Sequence, residues 1–160
     1  MRELEGKTSA LIVVLDHIED PHNLGAIIRS AEAGGASGVI SAKRRSALPT
    51  DTVIKTSAGA SLRLPLVQVA NITRTIEQLK AANFWTVGLD AKAQSSIWSE
   101  PLPERTALVV GAEGEGLSRL VAETCDMLRK IPINQEGVSS LNASVAAALG
   151  IFEWARVHAD

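Results

Sequence analysis

Residues 109–118, VVGAEGEGLS, place three glycines and two glutamates directly after a β-branched apolar pair. Glycine-rich turns at strand ends commonly cradle phosphate through backbone N–H groups. Here the Gly-Lys-Ser/Thr end of a phosphate loop is missing, and a dinucleotide fingerprint begun at Gly114 meets Arg119 where its last glycine belongs. Glu113 and Glu115 would also repel a bound pyrophosphate. Taken alone, a tight turn with solvated acids accounts for the stretch. A ligand held there has to tolerate negative charge, as a sulfonium does.

Two further stretches gather residue types that could act on a substrate. DPHNLGAIIRSAEAGG (20–35) carries Asn23 and Arg29 near a helix entry, and GVSSLNASVAAA (137–148) sets Ser139, Ser140 and Asn142 before the last helix. Asn and Ser in such places are good helix caps in their own right, each worth about 1 kcal/mol. Positions six apart do not share a helix face, so spacing does not set Asn23 beside Arg29. Asp16, His17, Glu19, Asp20 and His22 crowd together without a recognisable ligand spacing, which makes loop polarity a better reading than a metal site. The single cysteine, Cys125, allows neither an intrachain disulfide nor a CxxC pair.

The elements that must position these residues follow from the apolar pattern. ALIVVLD (10–16), GVISA (38–42), LPLVQVA (64–70), FWTVGLD (84–90), TALVVGA (106–112) and MLRKIPI (127–133) read as strands. Helical spacing marks 23–35, a short segment from Thr50 or Asp51, the Asn71-capped stretch 71–83, then 117–125 and 140–158. Strand and helix alternate throughout. The expected fold is therefore α/β, a mostly parallel sheet flanked by helices, with sites at the strands' carboxyl ends. Residues 16–23 and 111–116 both fall at such ends. In the last helix Leu141, Val145, Leu149 and Phe152 keep one register. Ala143, Ala146, Ala147 and Ala148 leave part of that helix nearly smooth, suited either to dimer packing or to the core.

With 160 residues, 46% hydrophobic and 21% charged, one soluble globular domain is expected. No apolar run nears the roughly 18 residues of a membrane span. The start, MRELEGKTSA, lacks the apolar core of a secretory signal, and a cytoplasmic protein is the simplest expectation. A net charge of −2 means that any nucleic-acid contact comes from a local patch or from elsewhere. Aromatics at 3%, with no Tyr, argue against a base-stacking platform. Lys43, Arg44 and Arg45 form the best basic patch, with Lys55 and Arg63 as additions, although such a short charge run is ordinarily a solvated turn.

Taken in order, DPHNLGAIIRSAEAGG, VVGAEGEGLSRL, RKIPI and GVSSLNASVAAA closely resemble the motifs of the SpoU (TrmH-like) RNA ribose 2′-O-methyltransferases, within the SPOUT superfamily. The resemblance runs from about residue 10 to the end of the chain. It implies a deep C-terminal trefoil knot, which the pattern alone would never favour because true knots are rare. It also implies S-adenosylmethionine as methyl donor, S-adenosylhomocysteine as product, RNA as substrate, no metal, and a homodimer whose sites are completed across the interface. Gly111, Ile131 and Leu141 match positions whose backbones hold the adenosyl group, and Ala112, Gly116, Ile133 and Ser140 lie in the same cofactor loops. Asn23, Arg29, Glu113, Ser140 and Asn142 match the family's polar catalytic set.

The reaction so implied moves a methyl group from a sulfonium to a ribose 2′-hydroxyl. That hydroxyl is a poor nucleophile at neutral pH and must be aligned and made more acidic. Arg29 is expected at the hydroxyl or the neighbouring phosphate. A guanidinium stays protonated, so stabilising the developing alkoxide is its natural part, with a phosphate oxygen as proton acceptor. For Asn23, capping and substrate orientation weigh equally. Glu113 is expected to orient Arg29 or the substrate.

SAKRRSALPTDTVIKTSAGA and VANITRTIEQLKAANFWTVGLDA resemble the branch that methylates a guanosine in 23S rRNA. A tRNA guanosine methyltransferase ranks next, and an adenosine-directed resistance relative third. A non-catalytic RNA-binding or ribosome-assembly module is disfavoured because the whole polar set is present. A dinucleotide-binding domain is disfavoured by the missing glycine. Many relatives carry a small RNA-binding domain before the catalytic half. Here a polar leader, 1–9, precedes the first strand, so residues 1–160 are expected to be one catalytic domain, either a minimal enzyme or a fragment. NQEG (134–137) looks about one residue longer than is usual in the family.

Overall fold

The computed structural model describes residues 6–44, 46–47, 50–134, 137 and 140–158. In chain order the elements are β1 (Ala10–Asp16), α1 (Pro21–Ala33), β2 (Gly38–Ala42), α2 (Asp51–Thr56), a 3₁₀ turn (Ala60–Leu62) and β3 (Leu66–Val69). They continue with α3 (Ile72–Ala81), β4 (Trp85–Leu89), β5 (Arg105–Gly111), α4 (Arg119–Thr124), β6 (Met127–Arg129) and α5 (Ala143–His158). One six-stranded sheet runs in the order β3-β2-β1-β5-β4-β6, with every pairing parallel among the described residues.

Both faces of this sheet are covered, which is why its central strands read as unbroken apolar runs. In β1, Leu11, Val13 and Leu15 face a core shared with Leu24, Ile27 and Ile28 of α1 and Ile151 and Trp154 of α5. Ala10, Ile12 and Val14 face the opposite core, with Ile72, Ile76 and Leu79 of α3 and Val121 of α4. β5 divides in the same way, Leu108 and Val110 to the first core and Ala107 and Val109 to the second. The chain reverses its direction of travel across the sheet between β1 and β5, and a crevice opens at their carboxyl ends.

Several element ends differ from the sequence expectations. α1 begins at Pro21, two residues early, because the Asp20 carboxylate accepts from the His22 amide at 2.9 Å and proline suits the first helical position. Asn23 therefore does not cap the helix. β6 stops at Arg129, with one isolated bridge from Lys130 to Ser96, and from Ile131 on the chain has left the sheet. The last helix starts at Ala143 rather than 140. Its smooth alanine face is largely core: Ala143 and Ala147 are buried, while Val145, Leu149 and Phe152 are exposed. By contrast, Asn71 caps α3 as expected, its carboxamide oxygen accepting from the Arg74 amide at 2.9 Å.

A polar clasp fixes the far edge of the sheet. One Asp126 oxygen accepts from the Thr86 amide at 2.9 Å and its hydroxyl at 2.7 Å, and the other sits 2.9 Å from the Lys80 ammonium. Burial works to raise the Asp126 carboxyl, but the bonds from Lys80 and Thr86 outweigh it and hold the group below the usual carboxylate range. A lowered acid stabilises the fold above its unfolded-state value and loses that contribution as pH falls through the folded one. Asp126→Ala should thus lower unfolding free energy at neutral pH by about 1–3 kcal/mol. The gap to the parent protein should narrow on acidification below the ordinary carboxylate range, as urea denaturation at the two pH values will show.

Candidate active site

At the end of β5 the chain folds back on itself. A Cβ on Gly111 would lie 2.1 Å from the Gly116 carbonyl group, so only glycine lets the turn return this closely. The Gly116 amide closes the turn by donating to the Ala112 carbonyl at 2.8 Å, and Gly114 and Gly116 take left-handed φ values of 79° and 71°. Across the sheet Asp16 pairs in register with Gly111. Its carboxylate is 1% exposed, with one oxygen accepting from the Ser118 amide at 2.7 Å and the other 2.8 Å from the His17 ring nitrogen Nδ1. This anchors the start of α4 and fixes the far end of the turn.

The returned turn forms one wall of a cleft of about 200 Å³. Every residue that the resemblance assigned to the cofactor lines it: Gly111, Ala112, Gly116, Ile131, Ile133, Ser140 and Leu141. Leu89, the last residue of β4, and Asp90, Ala91 and Lys92 after it line it too. Sequence reasoning missed these four, although the carboxyl end of a third parallel strand was a signal pointing to them. The cleft is mainly apolar, and its charged lining residues are Asp90, Glu113, Glu115 and Lys92.

Asn142 joins three elements. Its carboxamide N–H groups donate to Asn23 Oδ1 and to Glu113 Oε2, both at 3.0 Å. Its oxygen accepts from the Ser144 amide at 2.9 Å and the Ser144 hydroxyl at 2.6 Å, capping α5. The structure thus brings Asn23, Glu113 and Asn142 into one network, and Ser140 stands close by on the cleft. Freed from capping, Asn23 turns its side chain to this network. Arg29 is exposed on α1 and takes no part in it, lining neither this cleft nor its neighbour.

That neighbour is a second cavity of about 470 Å³, lined by His17, Ile18, Glu19, Asp20, Asn23 and Ser118, and sharing Ala112, Glu113 and Glu115 with the first. Lys43 and Arg44 are exposed beyond β2 and line neither cavity, and Arg45 lies outside the described residues, as do Ser139 and part of NQEG. Arg63 is not a free base. It grips Glu32 through Nε at 2.6 Å and Nη2 at 2.8 Å, and that hydrogen bonding holds the Glu32 carboxyl below its usual range. No group of three or more His, Cys, Asp or Glu residues suited to a metal occurs among the described residues.

Residues 10–152 match the SpoU rRNA methylase family. The chain belongs to that family. A TrmH-family protein of Staphylococcus aureus (strain MSSA476) is 45% identical over 159 residues, 99% of this chain and 63% of its own length. The 23S rRNA (guanosine-2′-O-)-methyltransferase of Xylella fastidiosa is 46% identical over 147 residues, 92% of this chain and 59% of its own. Among solved structures, the SpoU methyltransferase AviRb from Streptomyces viridochromogenes, in complex with the cofactor AdoMet, superposes with a TM-score of 0.88. It is 29% identical, covering 98% of this chain and 64% of that one. The chain thus spans roughly six-tenths of the length of these SpoU relatives.

The role of Asn142 as both cap and link makes a separable prediction. Asn142→Ala should lower unfolding free energy by about 1 kcal/mol, and Asn142→Ser, which keeps a capping oxygen, should regain most of it. Urea denaturation of the two variants measures this.

Proposed function

We propose that this SpoU-family chain binds S-adenosylmethionine in the cleft and catalyses methyl transfer to a ribose 2′-hydroxyl of RNA, with a guanosine of 23S rRNA as the favoured target. The observation that carries this reading is the convergence of three strand-end loops on one cleft beside the Asn23–Asn142–Glu113 network. The residues fit such a donor. Leu89, Ile131, Ile133 and Leu141 offer apolar surface for an adenine, and Asp90, Glu113 and Glu115, three acids against the one base Lys92 among the described lining residues, favour a cationic ligand over a phosphate. When bound, the donor supplies an electrophilic methyl on a positively charged sulfur. The related complex of AviRb with AdoMet and the 23S rRNA (guanosine-2′-O-)-methyltransferase of Xylella support the choice of donor and target.

In this reading Asn142 holds Glu113 and Asn23 at fixed positions, so the acceptor ribose meets a rigid polar wall rather than mobile side chains. Ser140 borders the donor. Arg29 stabilises negative charge developing on the ribose oxygen, as a permanently protonated guanidinium can. Lys43, Arg44 and Arg45 contact the RNA backbone. Such chemistry belongs to the cytoplasm. We read the chain as one catalytic domain, since a single sheet carries both cores. The insertion of β5 between β1 and β4, with β6 outside β4, is compatible with the family's trefoil knot, which we propose for the C-terminal segments.

We also propose a homodimer. Val145, Leu149 and Phe152 of α5 form an exposed apolar face, and with Ala26 and Ser30 of α1 they line a groove. Arg29 is exposed and adjoins the groove residue Ser30 in the chain, and in this reading it serves the partner's site across the interface. Phe152→Glu should yield monomers in light scattering with methyl transfer reduced at least tenfold. A fully active monomer would contradict the composite site.

The test of the reaction is transfer of radiolabelled methyl to separately purified unmodified 23S rRNA and tRNA. The label should survive alkali within a dinucleotide, because a 2′-O-methyl group blocks backbone cleavage. Label in tRNA alone would move the target to the tRNA branch. Arg29→Ala should abolish transfer, by about 10²-fold or more, while changing cofactor affinity only a few fold.

A further inference from the structure

His17 holds a left-handed backbone, φ 61°, that a residue with a Cβ adopts rarely and at a cost. Its ring is fixed as well. Nδ1 lies 2.8 Å from Asp16, whose carboxylate is buried and whose other oxygen is taken by the Ser118 amide. In a neutral imidazole an Nδ1 that faces a carboxylate carries the proton, which leaves Nε2 with its lone pair as an acceptor. The histidine is 40% exposed and lines the second cavity together with Asn23 and Glu113.

The polar chemistry of that cavity is one-sided. Glu19, Asp20, Glu113 and Glu115 line it, and among the described residues no Lys or Arg does. Carboxylates and a neutral Nε2 accept hydrogen bonds, so a phosphate entering here meets repulsion, whereas a sugar hydroxyl is a donor that suits every one of these groups. We propose that His17, held by Asp16, is a further substrate-contacting residue, whose Nε2 accepts a hydrogen bond from a ribose hydroxyl of the RNA and so distinguishes RNA from DNA. This deepens the reading of the same site as an RNA ribose methyltransferase and rests on it. The 2′-hydroxyl is the chemical difference between the two polymers, and an acceptor fixed in direction is what reading it requires.

The experiment compares binding of a fluorescein-labelled mixed-sequence RNA and the DNA of the same sequence to the parent protein, His17→Gly and His17→Asn, by fluorescence anisotropy. Glycine adopts the left-handed backbone freely, which offsets the loss of the imidazole beside Asp16, and the Ser118 amide keeps its bond to the other oxygen. His17→Gly should therefore fold, with a thermal midpoint within a few degrees of the parent and S-adenosylmethionine affinity within twofold. The parent should prefer RNA. Both variants should lose about tenfold in RNA affinity, the worth of one well-placed hydrogen bond, with DNA binding unchanged. No preference in the parent, unchanged RNA affinity in the variants, or equal losses for RNA and DNA would overturn the proposal. Failure of the parent to methylate any RNA, with the RNA preference lost in both variants, would remove the proposed reaction and leave the hydroxyl contact standing.

Discussion

The turn after β5 doubles back on its own strand, and the polar site depends on that return. It requires that residue 111 have no side chain, because the carbonyl group of Gly116 occupies the space of a Cβ. The return carries Glu113 to within reach of Asn142, and it brings Ser118 to the buried Asp16. Asp16 then ties the turn to the end of β1. A carboxylate that is almost wholly buried must have its oxygens satisfied, so the Ser118 amide and the His17 ring are held at its two ends. Strand end, turn and helix start are therefore one mechanical unit.

From that unit outward, three elements share a single side chain. Asn142 ends the loop that borders the cleft, caps α5, and reaches both α1 and the turn. Its oxygen serves the helix and its nitrogen serves the site. This division explains why a residue type that looks like a plain cap can also belong to a functional set. Asn23 shows the converse. Asp20 and Pro21 start α1 without it, and its carboxamide oxygen is left to accept from Asn142.

The strands were legible because burial on both faces leaves a plain mark. β1 and β2 coincide with their apolar runs to the residue. Sheet order was not legible, since nothing in a run of Val and Ile says which neighbour it will take, and β5 lies between β1 and β4. MLRKIPI is apolar enough to pass for a full strand, yet Ile131 and Ile133 line the cleft. α5 carries apolar residues around much of its circumference, so periodicity could not tell the face that meets the sheet, Ala147 and Ile151, from the exposed one, Leu149 and Phe152. The site residues came chiefly from motif resemblance. Residues on α1, the turn and the loop before α5 are far apart in the chain, and only the fold gathers them.

Charge sets the terms on which this site could work. Acids line both cavities, while the proposed substrate is a polyanion and the proposed donor a cation. Strong stabilisation of a sulfonium would be counterproductive, because transfer discharges it and any ground-state attraction must then be surrendered. Glu113 and Glu115 are exposed, in contact with water, and their pull on a nearby cation is correspondingly screened. They can discriminate against a phosphate-bearing ligand without holding the donor's charge tightly. The acids outnumber Lys92 at the cleft and would push an RNA backbone away, so most of the attraction has to come from bases standing clear of it, such as Arg29, Lys43 and Arg44, all exposed. That separation lets the ribose approach the acidic wall through its hydroxyls while its phosphates remain over the basic surface.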